Sequence, residues 1–191
     1  MNTYVVVCEA TRISAIVDPG ADAEDILALA EGTRVIKILL THGHPDHTGA
    51  LARVREVTGA QVYLHPADAE EFDVDVDLPL RDGEEIAIGK LCLRAIHVPG
   101  HTPGTVCLSL NDGRILVGDT LFCNGPGHTK TPEDFMTTMK NLQAIVFKWP
   151  DDTVFFPGHG ESGVIGQERP RFEVFVSRGW PPDLHGDVTW E

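Results

Sequence analysis

Thr41-His42-Gly43-His44-Pro45-Asp46-His47 is the stretch whose reading decides the fold. It follows an apolar run rich in β-branched residues, Val35 to Leu40, which reads as a buried strand. It leads into His47-Thr48-Gly49-Ala50-Leu51, where a helical pattern opens. Three imidazoles and one carboxylate therefore fall within six residues on a turn between a strand end and a helix start. Such turns, held by a rigid scaffold, are where catalytic groups concentrate. His42 and His44 are two residues apart at a strand's end, so their side chains can point the same way. Gly43 lets the backbone bend close to an ion, and Pro45 stiffens the turn. Asp46 and His47 then aim at a neighbouring position, so two pairs of N/O ligands suggest two adjacent ions. A chance run of surface histidines would not come with this strand–loop–helix context.

The same pattern recurs at other strand ends. Val98-Pro99-Gly100-His101-Thr102-Pro103-Gly104 is a corner between two strand patterns, and its two Pro-Gly pairs fix the backbone around His101. Arg114 to Val117 reads as a strand ending in Gly118-Asp119-Thr120-Leu121-Phe122. A carboxylate at a buried strand's end is costly unless it is paired or coordinated, which makes Asp119 a ligand candidate able to bridge two ions. Thr153 to Phe156 ends in Pro157-Gly158-His159-Gly160. Elsewhere, Tyr4–Cys8 and Ile13–Val17 form a hairpin pattern, and Asp18 after it is either a turn residue or a support for the metal site. His65 and His97 read as structural or packing histidines. Phe72 to Arg81 reads as an acidic surface loop, and Cys123 to Lys130 as a loop bordering a cleft. Thr131-Pro132 starts a helix whose stripe of Phe135, Met139, Leu142 and Val146 is core. Gln167 to Arg178 is a terminal helix, and residues 179–191 form a C-terminal tail without a clear pattern.

The 191 residues suit one domain, residues 1–178, followed by that tail. A net charge of −14 argues against nucleic acid and anionic membranes as partners and does not identify a substrate; a small-molecule substrate is expected from the candidate metal site. Cys8, Cys92, Cys107 and Cys123 are scattered without a CxxC, and the first three lie in apolar runs, so buried free thiols are expected there. No signal-peptide pattern opens the chain and no apolar run approaches a membrane span, so a cytoplasmic location is expected.

His42, His44, Asp46, His47, His101, Asp119 and His159 are too many ligands for one tetrahedral ion. His42, His44 and His101 are assigned to a first ion, Asp46, His47 and His159 to a second, with Asp119 bridging. Two divalent ions are expected, zinc first, with iron or manganese as alternatives. The set contains no cysteine, unlike a closed structural zinc site. A water held between two such ions ionises near neutral pH and becomes a hydroxide nucleophile; Asp46 and Asp119 are the catalytic carboxylates. No GxSxG competes with this reading.

The four motifs Thr41-His42-x-His44-x-Asp46-His47, Pro99-Gly100-His101-Thr102-Pro103-Gly104, Gly118-Asp119-Thr120-Leu121-Phe122 and Gly158-His159-Gly160 resemble the metallo-β-lactamase superfamily, in particular its glyoxalase II-like hydrolases. The resemblance runs over nearly the whole chain. It implies an α+β fold, a four-layer αββα sandwich with the metals at the shared edge of two sheets. It also implies a hydrolase of a small ester or thioester. Antibiotic-hydrolysing members usually carry cysteine where Asp119 stands, so antibiotic hydrolysis is not expected of this chain. Glyoxalase II carries Lys and Tyr in the loop after its Gly-Asp-Thr-Leu-Phe and a Tyr two positions past its last histidine. His128, Lys130 and Glu161 stand there, making His128 and Lys130 the substrate-binding candidates. Two alternatives accompany this reading: a mononuclear iron oxidoreductase resembling persulfide dioxygenases, and a non-catalytic metal-binding protein.

Overall fold

Alternation along the strands sorts the apolar side chains into three separate layers, and these dictate the architecture. The computed structural model describes residues 1–191. In chain order the first half comprises β1 (Tyr4–Cys8), β2 (Ile13–Val17), α1 (Ala23–Leu29), β3 (Arg34–Leu39), α2 (Pro45–Thr48), α3 (Leu51–Thr58), β4 (Gln61–Leu64), α4 (Pro66–Glu71) and β5 (Leu78–Pro79). The second half comprises β6 (Glu85–Ile88), β7 (Leu91–His97), β8 (Val106–Ser109), β9 (Arg114–Gly118), β10 (Leu121–Phe122), β11 (Gly125–Pro126), α5 (Pro132–Ala144), β12 (Val154–Pro157), β13 (Gly163–Val164) and α6 (Ile165–Arg178).

One sheet has the order β1-β2-β3-β4-β5 and the other β13-β12-β9-β8-β7-β6. Between them lies a layer built from Ala15, Val17, Leu39 and Tyr63 of the first sheet against Ile86, Leu93, Val106, Leu108 and Leu116 of the second. The intervening residues face outward, as a period of two requires. Ile16, Ile38, Val62 and Leu64 meet Ile26 of α1 and Val54 of α3. Cys107, Ile115, Val117 and Phe155 meet Phe135 and Met139 of α5 and Phe172 and Phe175 of α6. Helix, sheet, sheet, helix: the αββα sandwich follows from where each apolar side chain is buried. No helix is long and apolar enough to cross a membrane.

Local rules set the element ends. Thr131 accepts from the Asp134 amide while the Asp134 carboxylate takes the Thr131 amide, a reciprocal cap that starts α5 with Pro132 at its first position. The helix after the histidine turn begins earlier than expected, at Pro45 with His44 as its N-cap, and it breaks before α3. The break falls at Gly49, where any Cβ would strike the backbone oxygen of Gly20.

Two expectations are corrected, and the tail gains a place. The stretch Phe72 to Arg81 is not only a surface loop: β5 pairs in parallel with β4, and Phe72 packs its ring 5.0 Å from that of His44. Cys92 is exposed, because alternation along β7 turns Leu93 and Ala95 inward and Cys92 out. Residues beyond α6 lack helix or regular strand, yet Val188 and Trp190 are buried in the layer under α5 and α6.

Candidate metal centre

β2 and β3 are parallel, and so are β9 and β12, so each sheet delivers two carboxyl ends to one rim. Asp18 follows β2, the histidine turn follows β3, Asp119 follows β9 and His159 follows β12. His101 comes from the corner between β7 and β8. The rims are joined directly, since the Val106 amide donates to the Thr41 carbonyl at 2.8 Å.

All seven predicted ligands converge there. The ligand atoms of His42, His44 and His101 lie within 4.8 Å of one another, as do those of Asp46, His47 and His159, and those of His42, His47 and Asp119. Asp119 reaches both sets: its Oδ1 is 3.4 Å from His47 Nε2, and its Oδ2 is 3.6 Å from His101 Nε2 and 3.7 Å from His159 Nε2. His159 Nε2 also meets Asp46 Oδ2 at 2.9 Å.

The donor set fits a cation. His42 Nε2, His47 Nε2 and Asp119 Oδ1 are buried without a hydrogen-bond partner in the protein, a costly state for polar atoms aimed at one point. Two ring nitrogens, His44 Nδ1 and His101 Nε2, face each other at 2.9 Å. At Gly158 a Cβ would run into Asp119 Oδ1 and the His47 ring, so only glycine keeps that space open.

The protonation of the ligands follows from their surroundings. Burial, reinforced by neighbouring imidazoles, drives His42 well below the usual histidine value and His101 down to about 4, so both present bare nitrogens at neutral pH. Burial also depresses His44. Burial acts the same way on His47, but the flanking carboxylates of Asp119 and Asp18 outweigh it and raise His47 to about 10. Burial pushes Asp119 upward, and His47, His101 and His159 more than reverse that, leaving it below the usual carboxylate value.

A layer of supporting residues orients these groups. Asp18 Oδ2 lies 3.1 Å from His47 Nδ1, while Asp18 Oδ1 accepts the Thr41 amide at 2.7 Å, so the carboxylate is a support rather than a turn residue alone. His101 Nδ1 lies 2.7 Å from the His128 carbonyl oxygen, which can only accept. The sequence reading passed over Asp68. Fully buried in α4, it takes the Gly43 amide at 2.9 Å and the Thr102 hydroxyl at 2.7 Å on Oδ2, and the Gly104 amide at 2.6 Å on Oδ1. It bolts the histidine turn to the His101 corner. Burial pushes its carboxyl group up, and those three donors restrain the rise. The one available signal was the pair of motif glycines, since a Cβ on Gly104 would come 2.5 Å from Asp68 Oδ1.

The two substrate-binding candidates sit apart from the ligands. His128 is exposed and pairs through Nδ1 with Asp187 Oδ1 at 3.0 Å. Lys130 pairs with Glu71 at 3.0 Å and lies 5.4 Å over the Phe72 ring, which itself rests on His44. His65 and His97 stand outside the centre, stacked on each other at 4.2 Å.

The family model of the metallo-beta-lactamase superfamily matches residues 2–159. The chain belongs to that superfamily. A hydroxyacylglutathione hydrolase of Anaeromyxobacter dehalogenans is 42% identical over 83% of the chain, which spans 61% of that relative's length. The hydroxyacylglutathione hydrolase GloC of Haemophilus influenzae is 30% identical over 82% of the chain and 84% of its own length. Among solved structures, the B3 metallo-beta-lactamase BLEG-1 superposes with a TM-score of 0.80 at 29% identity, covering 88% of this chain and 91% of its own. ETHE1 from Myxococcus xanthus gives 0.78 at 28% identity, over 87% of this chain and 76% of its own. The di-iron-bound form of TTHA1623 gives 0.72 at 29% identity, over 88% and 91%. The superfamily binds divalent metals, and this chain carries His/Asp clusters that could hold them.

Proposed function

We propose that the chain is a metal-dependent hydrolase of a small ester or thioester, similar in action to glyoxalase II. The observation that carries this reading is the set of seven convergent ligands with three buried, partnerless atoms among them. In this reading His42, His44 and His101 hold one divalent ion, Asp46, His47 and His159 hold a second, and Asp119 contacts both. Zinc leads, with iron or manganese as alternatives that ligand type does not separate. When bound, a pair of such ions supplies an ionised water at neutral pH and polarises the substrate carbonyl.

The chain's own residues do the rest. Asp18 fixes the His47 ring so that Nε2 faces the centre, and the His128 carbonyl does the same for His101. Asp46 is 53% exposed, at the open side, and is positioned to take up the proton that the nucleophile releases. Phe72 packs on His44 of the first set and Phe122 lies beside His159 of the second. His128 and Lys130 stand on the rim as contacts for the distal part of a small-molecule substrate, which we place in the cytoplasm.

Relatives named hydroxyacylglutathione hydrolase support a thioester. The test is a panel of thioesters, lactones and a β-lactam, assayed with metal-stripped and reconstituted protein. Hydrolysis restored by two equivalents of metal is expected, and turnover indifferent to metal would end the proposal. The mononuclear iron oxidoreductase reading has the likeness to ETHE1 behind it. One bound iron with oxygen consumption on a persulfide would replace the hydrolase reading with that one.

A further inference from the structure

The stretch after α6 touches no predicted ligand, yet it grips the loop that does. The Trp190 amide donates to the Asn124 carbonyl at 3.0 Å, and Thr129 and Gly186 exchange both backbone hydrogen bonds, at 3.2 and 2.9 Å. Between those two grips, Gly125 lies so close to the Val188 carbonyl that a Cβ would collide with it. The other side of the loop faces the centre. A Cβ on Gly127 would strike the Asp119 carbonyl and come 3.2 Å from His101 Nδ1, and the His128 carbonyl lies 2.7 Å from that nitrogen. The tail itself is anchored, because Val188 and Trp190 are buried and the Trp190 ring packs 5.5 Å from Phe172 and 5.3 Å from Phe175.

We propose that residues 184–190 are a positioning element of the metal centre: they clamp the 124–129 loop so that its carbonyl at His128 holds His101 with the proton on Nδ1 and Nε2 free for metal. The clamp also carries Asp187, which orients the His128 side chain at the rim. A carbonyl accepts and never donates, so a loop held in register selects one tautomer, and a loosened loop does not. Such outer partners of a metal-ligating histidine are worth about 10–100-fold in affinity. The inference rests on His101 being a ligand.

The experiment compares Trp190→Ala, Trp190→Phe and Gly125→Ala with Trp180→Ala. Trp180 packs on Phe175 at 5.6 Å and Phe135 at 5.7 Å in the same apolar layer, with no hydrogen bond to the loop, and so controls for lost packing alone. Zinc affinity is read by competition with a chromogenic chelator, at a temperature where circular dichroism shows every variant folded. Solvent exchange of the imidazole Nδ1 protons is read from the shifted resonances of the cobalt-loaded protein. Expected are zinc binding about tenfold weaker or more and faster exchange of one imidazole proton in Trp190→Ala and Gly125→Ala. Trp190→Phe should restore both, and Trp180→Ala should lower the melting temperature while moving neither. Should Trp190→Ala fail to fold, Gly125→Ala, which removes no packing, decides alone. The proposal is overturned if the loop variants bind zinc like the parent, or if Trp180→Ala weakens binding as much as they do. A parent chain that binds no zinc would instead remove the ligand reading beneath it.

Discussion

Replacing Asp68 with alanine tests whether one buried carboxylate holds the two ligand-bearing loops together. The Thr102 hydroxyl keeps a second partner in Thr105, at 2.7 Å, so the substitution orphans two donors, the Gly43 and Gly104 amides. Each buried donor left unpaired costs about 1–3 kcal/mol. Part is recovered because the desolvated carboxylate is gone, so a net loss of about 3 kcal/mol is expected. For a domain of this size that lowers the melting temperature by roughly 6–12 °C. Asp68→Asn separates the two sides of the bolt. With its oxygen in the Oδ2 position it still accepts from Gly43 and Thr102, but turns an NH2 toward the Gly104 amide, for about half the loss. Zinc affinity should fall about tenfold in the alanine variant as the His44 and His101 loops drift apart. Denaturant unfolding of metal-stripped protein and chelator competition measure the two effects. An alanine variant within about 1 kcal/mol of the parent, or an asparagine variant as damaged as the alanine one, would refute the reasoning.

Gly158→Ala should leave a folded protein that has lost an ion, because the added methyl occupies the space between Asp119 and His47; metal analysis after gel filtration checks it. Asp119→Ala should lower metal-dependent turnover by more than about 100-fold, since residues that merely support ligands are already worth 10–100-fold; steady-state kinetics at saturating zinc measure this. Stability of the metal-stripped protein should peak near pH 6.5, the ordinary value for an unfolded histidine. His47 is raised to about 10 when folded, so its stabilisation is complete below about 6.5 and fades as pH rises toward about 10. His101 is depressed to about 4, so in acid the unfolded chain takes up a proton that the folded one refuses, and stability falls from about 6.5 downward. Urea unfolding in a chelating buffer at pH 5, 6.5 and 9 would show the peak, and a flat profile would contradict it.

The convergent candidate ligands were legible because their signal is local: a histidine or aspartate at a strand end, flanked by glycine and proline, announces itself within a few residues. The strands were legible for the same reason, and β1 and β2 fall where the hairpin pattern places them. What escaped depends on partners far along the chain. Asp68 looks like any acid in a short helix until Gly43 and Gly104 close around it. Phe72 and β5 sit in an acidic stretch whose composition suggests solvent, and only β4 and His44 give them a place. Val188 and Trp190 are lone apolar residues in a polar tail, and no periodicity marks a segment that packs by wrapping.

The two joined rims have a mechanical consequence. His42, His44, Asp46 and His47 hang from one sheet, and His101, Asp119 and His159 from the other. A cation gripped by both sets is a rivet through the seam of the sandwich. At a thousand times its dissociation constant it would add about 4 kcal/mol to folding, through contacts that span the two halves. Starvation for metal would then be felt first as play along that seam, before any strand unzips.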